Sequence, residues 1–220
     1  MKKTFLLSCL MLAAMPVMAA YTGHVYVDKN KNGVFDQSEK PLAGIKVSDG
    51  LNVVETAADG SFTLPGHERE RFIFITTPSG YKTFNRHYHK IEKKQSGYDF
   101  GLIPYSGRIR KDGSHRYIHI TDTEIFNTEN HADWVNNVHD YARNEQAAFI
   151  IHTGDICYEK GLKAHIKLMN TENMDCPVFY CIGNHDLVKG KYGEELFESI
   201  YGPVYYSFDA GNVHYIVTPM

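Results

Sequence analysis

Tryptophan occurs once and cysteine four times in this 220-residue chain. So few cysteines cannot supply a disulfide framework in place of a hydrophobic core. Neither charge sign dominates: Lys and Arg number 23, Asp and Glu 26, and the net charge is −3. That balance leaves no electrostatic footprint for nucleic acid, so no nucleic-acid partner is expected. The apolar stretch Phe5 to Ala14 is too short to span a bilayer as a helix, so no transmembrane segment is expected either. Internal repeats and low-complexity tracts are also missing, which excludes repeat arrays and biased linkers. What remains suits one ordinary domain or two small ones.

Residues 1–20 read as a secretory signal. Lys2 and Lys3 precede the apolar stretch, and Val17-Met18-Ala19 supplies small residues for cleavage. Export to a periplasmic or extracellular setting is therefore expected. Leu6-Leu7-Ser8-Cys9 only partly matches a lipoprotein box and comes early, so lipid anchoring is the weaker reading. Beyond the signal stand Cys157, Cys176 and Cys181, an odd set for an oxidising compartment. Cys157 and Cys181 lie near strand ends and form the pair to test. The simpler reading makes all three small buried hydrophobes.

Residues 21–104 have an all-β texture. Thr22–Val27, Gly44–Val47, Leu51–Thr56, Ser61–Leu64 and Phe72–Thr76 are short runs rich in β-branched and aromatic residues. Asp49-Gly50 and Asp59-Gly60 mark turns between them. Such spacing predicts a small β-sandwich. Tyr81 to Lys94 reads as an irregular, aromatic and basic loop, either solvated or contacting an anion. Residues 105–114 carry Pro, Gly and alternating charge and read as a linker.

Between the first two strands lies Asp28-Lys29-Asn30-Lys31-Asn32-Gly33-Val34-Phe35-Asp36-Gln37-Ser38-Glu39. This fits the twelve-residue calcium-loop template at every position. Asp28, Asn30 and Asn32 take positions one, three and five. Val34 offers a carbonyl, Asp36 stands ninth, and Glu39 closes the shell. Strand-like flanks make it the loop without the paired helices. The competing reading is a polar β-turn.

Residues 115–220 alternate strands with helical patterns, which argues for βαβ units and a mostly parallel sheet. The chain is thus expected to be an α+β two-module protein. In Ala132 to Arg143, Trp134, Val135, Val138, Tyr141 and Ala142 recur at helical spacing and are expected to face the sheet. Leu162, Ile166 and Met169 mark a second helix. Leu196, Phe197 and Ile200 mark a third, which Gly202-Pro203 ends. Tyr205–Phe208 and Val213–Thr218 read as a hairpin. His119, His152 and His214 lie within strands and are expected to be packed there.

Three apolar strands end in polar groups. Tyr117-Ile118-His119-Ile120-Thr121 runs into Asp122-Thr123-Glu124. Ala148 to His152 runs into Thr153-Gly154-Asp155. Pro177-Val178-Phe179-Tyr180 runs into Cys181-Ile182-Gly183-Asn184-His185-Asp186. Open α/β sheets bind ligands at such carboxyl ends, and gathered oxygen and nitrogen donors suit divalent metals.

The ordered trio Asp122-x-Glu124, Gly154-Asp155 and Gly183-Asn184-His185-Asp186 resembles the calcineurin-like metallophosphoesterases. Tyr205-Tyr206-Ser207-Phe208-Asp209 and Gly211 to Val217 resemble the same family. The β-module resembles immunoglobulin-like modules that precede the catalytic domain in some exported members. The resemblance implies the front part of an α/β phosphoesterase sandwich and hydrolysis of a phosphomonoester or phosphodiester, either a small molecule or an envelope component. It implies two divalent metals, Mn, Fe or Zn with Mg possible, that activate a bridging hydroxide. Asp155 would bridge them, Asp122 and Glu124 would hold the first, and Asn184 the second. His185 would act beside the bridge as the catalytic group, oriented by Asp186.

Two departures stand out. Glu124 occupies a position where the family usually has His, which tilts the site toward harder ions. No Gly-His-x-His element follows, so the chain reads as a fragment whose second metal has few ligands, and little turnover is expected of it alone. Val213–Val217 would then be an exposed edge strand. The alternative function is a non-catalytic, calcium-stabilised surface or binding module that carries a phosphoesterase remnant.

Overall fold

The structure is a computed structural model that describes residues 20–219 except 85, 96, 107, 157 and 189. The expected signal over 1–20 and the thiol of Cys157 therefore lie outside the described residues, Ala20 apart. No helix among the described residues is long and apolar enough to cross a membrane.

The first module is all-β. Strands β1 (Ala20–Val27), β2 (Lys40–Pro41), β3 (Lys46–Ser48), β4 (Val53–Glu55) and β5 (Ser61–Pro65) are followed by β6 (Phe72–Ile75), β7 (Tyr81–Thr83), β8 (Tyr88–Lys90) and β9 (Phe100–Pro104). One sheet runs β2-β1-β9-β7, with β5 also on β1; the other runs β4-β3-β6-β8. Alternation along β1 and β5 turns one face inward. Val25, Leu64 and Leu102 of one sheet meet Val47, Ile73 and Ile75 of the other in a single core. Gly50 and Gly60 have φ of 96° and 77°, as the two turns require. The stretch Tyr81 to Lys94 is not simply irregular: β7 pairs with β9 and β8 with β6. These strands are only three residues long, and their scattered Lys, Arg and His hide the alternation that would reveal them.

The second module holds three parallel strands, β10 (Tyr117–Ile120), β11 (Phe149–His152) and β12 (Val178–Tyr180), in that order. Helices α1 (Ala132–Asn144) and α2 (Tyr158–Leu168) are the crossovers between them, and α3 (Glu195–Tyr201) follows. Val135 and Ala142 are buried on α1 as expected. Trp134 and Tyr141 are not, at 38% and 60% exposure. They lie at the margins of a helical stripe that is narrower than the sequence pattern implies, because a three-stranded sheet covers only a limited strip.

The hairpin β13 (Tyr206–Ala210) and β14 (Val213–Val217) packs against the strands. Phe208 stacks on Phe179 with ring centroids 3.5 Å apart, and its ring meets Phe149 edge-on. Ile216 on β14 is 71% exposed. His214 is exposed rather than packed, and its Nδ1 lies 2.6 Å from Asp209 Oδ1. On a hairpin with one open face, mid-strand position does not ensure burial.

A seam joins the modules. Arg71 reaches from β6's edge to Glu198 on α3 through two hydrogen bonds, Nε to Oε2 at 2.9 Å and Nη2 to Oε1 at 2.6 Å. Tyr192 donates to the same carboxylate at 2.8 Å. Asp209 N–H donates to the Thr77 carbonyl at 2.8 Å, and the Thr76 and Ser207 hydroxyls lie 2.9 Å apart. Gly202 has no room for a side chain, since a Cβ there would run into the Tyr88 ring.

Candidate active site

Strand register sets the site. Ile120 pairs with His152, and His152 with Tyr180, so the three strands end at one level. Their following loops leave on one rim and then run side by side. Asp122 N–H donates to Gly154 O at 3.1 Å, Glu124 N–H to Asp155 O at 3.4 Å, and Ile125 N–H to Ile156 O at 3.1 Å. Thr153 N–H donates to Ile120 O at 2.9 Å, and Cys181 N–H to His152 O at 2.7 Å.

Three of the expected ligands have left-handed backbones. The φ angles are 53° at Asp122, 44° at Glu124 and 51° at Asp155. Each costs about 1–2 kcal/mol for a residue with a Cβ. Such strain concentrates where function fixes the aim of a side chain. Gly154, with φ of 97°, packs backbone to backbone against Gly183. A Cβ on either glycine would collide with the other loop. Close approach lets Asp155 Oδ1 accept the His185 N–H at 3.0 Å. The carboxylate thereby anchors the short 3-10 turn Asn184–Asp186.

The buried Asp186 accepts the Gly183 N–H at 2.9 Å and so closes its own loop from below. Asn184 and His185 are left exposed on the rim. His185 Nδ1 stands 4.0 Å from Glu124 Oε1, and the Tyr158 ring stacks on His185 at 5.9 Å. Thr121 Oγ donates to Asp122 Oδ2 at 2.6 Å. The structure therefore brings Glu124, Asp155, Asn184 and His185 to one rim, with Asp122 beside them. Among the described residues, no three His, Cys, Asp or Glu side chains are gathered closely enough to hold a metal ion.

His152 does more than pack. Its Nδ1 accepts the Gly154 N–H at 3.2 Å, and its Nε2 lies 3.0 Å from Thr123 Oγ. Accepting at Nδ1 leaves the proton on Nε2, so the ring donates to Thr123 and ties two loops together. Burial lowers its pKa to about 4 and keeps it neutral. His165 meets it edge-on below, also buried and held well below the usual range. His119, expected to be packed, is exposed at the rim with Nε2 2.7 Å from Thr153 Oγ. It shares the exposed side of β10 with Tyr117. Tyr158 and His152 escape a motif reading, because a stacking tyrosine and a buried bridging histidine look in sequence like core residues.

Among the described residues, Cys176 and Cys181 are free thiols; the pairing to test involves Cys157, which lies outside the described residues. Burial raises the Cys176 thiol to about 11, the behaviour of a small core hydrophobe. A cavity of about 510 Å³ lies elsewhere, between Arg86, His87 and Tyr88 of the first module and Tyr180 and Tyr201 of the second. It lines none of the three polar loops.

The domain matched over residues 115–217 is that of a metal-dependent phosphoesterase. The model for the N-terminal domain of calcineurin-like phosphoesterases matches residues 29–104, and the calcineurin-like phosphoesterase model matches residues 115–217. The chain belongs to the calcineurin-like metallophosphoesterase family. No curated protein matches it.

Proposed function

We propose that this rim hydrolyses a phosphomonoester or phosphodiester with the help of two divalent cations, Mn, Fe or Zn with Mg possible. The observation that carries the reading is the in-register ending of β10, β11 and β12, which sends Asp122, Glu124, Asp155 and Asn184 to one edge. The donor chemistry fits such ions, being carboxylate and amide oxygen. When bound, the cations would lower the pKa of water and offset phosphoryl charge. Asp155 has two oxygens to share between neighbouring sites, and its anchored loop fixes their direction. Asp122 and Glu124 would serve one site and Asn184 the other. His185, steadied by Tyr158 and its own N–H bond to Asp155, is placed to give a proton to the leaving oxygen. Asp186 keeps the turn that presents it.

A second reading has its own support. The loose spacing of the carboxylates favours a binding module with a non-catalytic remnant. Metal-stripped protein assayed with an aryl phosphodiester and an aryl phosphomonoester under Mn²⁺ titration separates the two. Turnover that rises with Mn²⁺ and vanishes in Asp155→Asn supports hydrolysis. Turnover that persists in chelator or in Asp155→Asn refutes it. Metal uptake without turnover supports the binding module.

A further inference from the structure

We infer that the loop Asp28–Glu39 is a calcium site built into the first module, separate from the phosphoesterase rim. The loop follows β1 and lies over β9. Asp28 is 1% exposed and Glu39 7%. Asp28 takes the Gly33 N–H at 2.9 Å and the Asn32 N–H at 3.2 Å. Asn30 Oδ1 takes the Asn32 N–H at 3.0 Å, and Asn32 Oδ1 takes the Val34 N–H at 2.8 Å. Glu39 crosses back, accepting the Lys29 N–H at 2.8 Å and the Asp36 N–H at 3.1 Å. Gly33 has φ of 72°, the turn the sixth position requires. These bonds close the ring, and each oxygen acceptor has two lone-pair directions.

Hydrogen bonding within a ring does not by itself identify a ligand. Two other observations do. First, the carboxylates of Asp28 and Glu39 are buried, and neither has a Lys, Arg or His in an ion pair with it among the described residues. Burying unpaired carboxylates is costly unless a cation offsets them. Second, the Tyr26 hydroxyl is completely buried and has no partner among the described residues. It is directed at the same place: a Cβ on Gly101 would stand 3.0 Å from Asp28 Oδ2 and 3.2 Å from the Tyr26 oxygen. Burial first, then the charges of Asp28 and Glu39, raise the Tyr26 pKa and keep its proton in place. Phe35 clamps the loop by stacking on His24 at 4.8 Å and lying 4.9 Å from Tyr26. An all-oxygen donor set in a flexible ring suits Ca²⁺ over the smaller Mg²⁺, which demands a strict octahedron.

The test is calorimetric titration of CaCl₂ into the metal-stripped full chain, paired with thermal unfolding. The expected result is one calcium bound with Kd of about 10⁻⁴–10⁻³ M, the range of single extracellular modules, with a rise in Tm. Asp28→Asn and Glu39→Gln keep the shape of the ring and are each expected to weaken binding about tenfold or more. Tyr26→Phe should weaken it less and leave one equivalent bound. Asp155→Asn should leave calcium binding unchanged. The inference fails if calcium gives neither heat nor a Tm shift. It fails equally if the ring variants bind normally, or if Asp155→Asn abolishes the response. MgCl₂ binding as tightly as CaCl₂ would overturn the assignment of the ion.

Discussion

Gly154 and Gly183 press backbone against backbone, and this contact sets the distance between the second and third polar loops. Ala at Gly183 would meet the Asp155 nitrogen and carboxylate oxygen, both of which hold position for the rim. Gly183→Ala is expected to cost about 1–3 kcal/mol from overpacking. Chemical denaturation measures that loss. Metal-dependent turnover should fall further than stability explains, because the His185 N–H bond to Asp155 is displaced with it.

Glu124→His places an imidazole where we propose the first metal site. Nitrogen ligands favour Zn and Fe over Mn and Mg. Metal content after equilibration in a mixture of these ions should therefore shift toward zinc and iron. An unchanged content would mean that Glu124 is not a ligand.

Glu198 is nearly buried, and Arg71 is its cationic partner across the seam. Among the described residues, Arg71→Ala leaves that carboxylate with the Tyr192 hydroxyl as its hydrogen-bond partner. The expected loss is about 2 kcal/mol, below the usual figure for a buried pair because Arg71 is half exposed. Arg71→Lys should recover only part, since one ammonium cannot reproduce the two-pronged geometry. Urea denaturation curves of the three proteins give the comparison.

Stability should fall as pH drops from about 6.5 toward 4. His152 has a folded pKa of about 4 against an ordinary 6.5, and His165 moves in the same direction. The unfolded chain takes up these protons first, so acid favours unfolding across that window. The His152 shift alone is worth on the order of 3 kcal/mol. Tm measured between pH 7 and 4.5 should decline. His165→Gln should make the decline shallower.

Much of this was legible in the sequence. Strands β10, β11 and β12 announce themselves as apolar runs that end in Asp or Asn. Gly154 and Gly183 mark the turns, and the positions of α1 to α3 follow from helical spacing. Burial was harder to read. The stripe of α1 predicts contacts for Trp134 and Tyr141, but a narrow sheet leaves both outside. His119 and His152 have the same strand context, yet one is exposed and the other sealed. Which face a helix covers is decided by partners distant in the chain. Strands β7 and β8 are likewise made by β9 and β6, not by their own composition.

The seam from Arg71 to Asp209 makes the union of the modules only partly covalent. A nick in the backbone between Pro104 and His115 would leave two pieces still clasped by the Arg71 fork and the Thr77 carbonyl. They would behave as complementing fragments, not as a released tag and a free enzyme. The same clasp restricts inheritance. A catalytic module that exchanged its β-module for another would lose the mate for Glu198 and the surface that receives Gly202, so the two are expected to change together over evolutionary time.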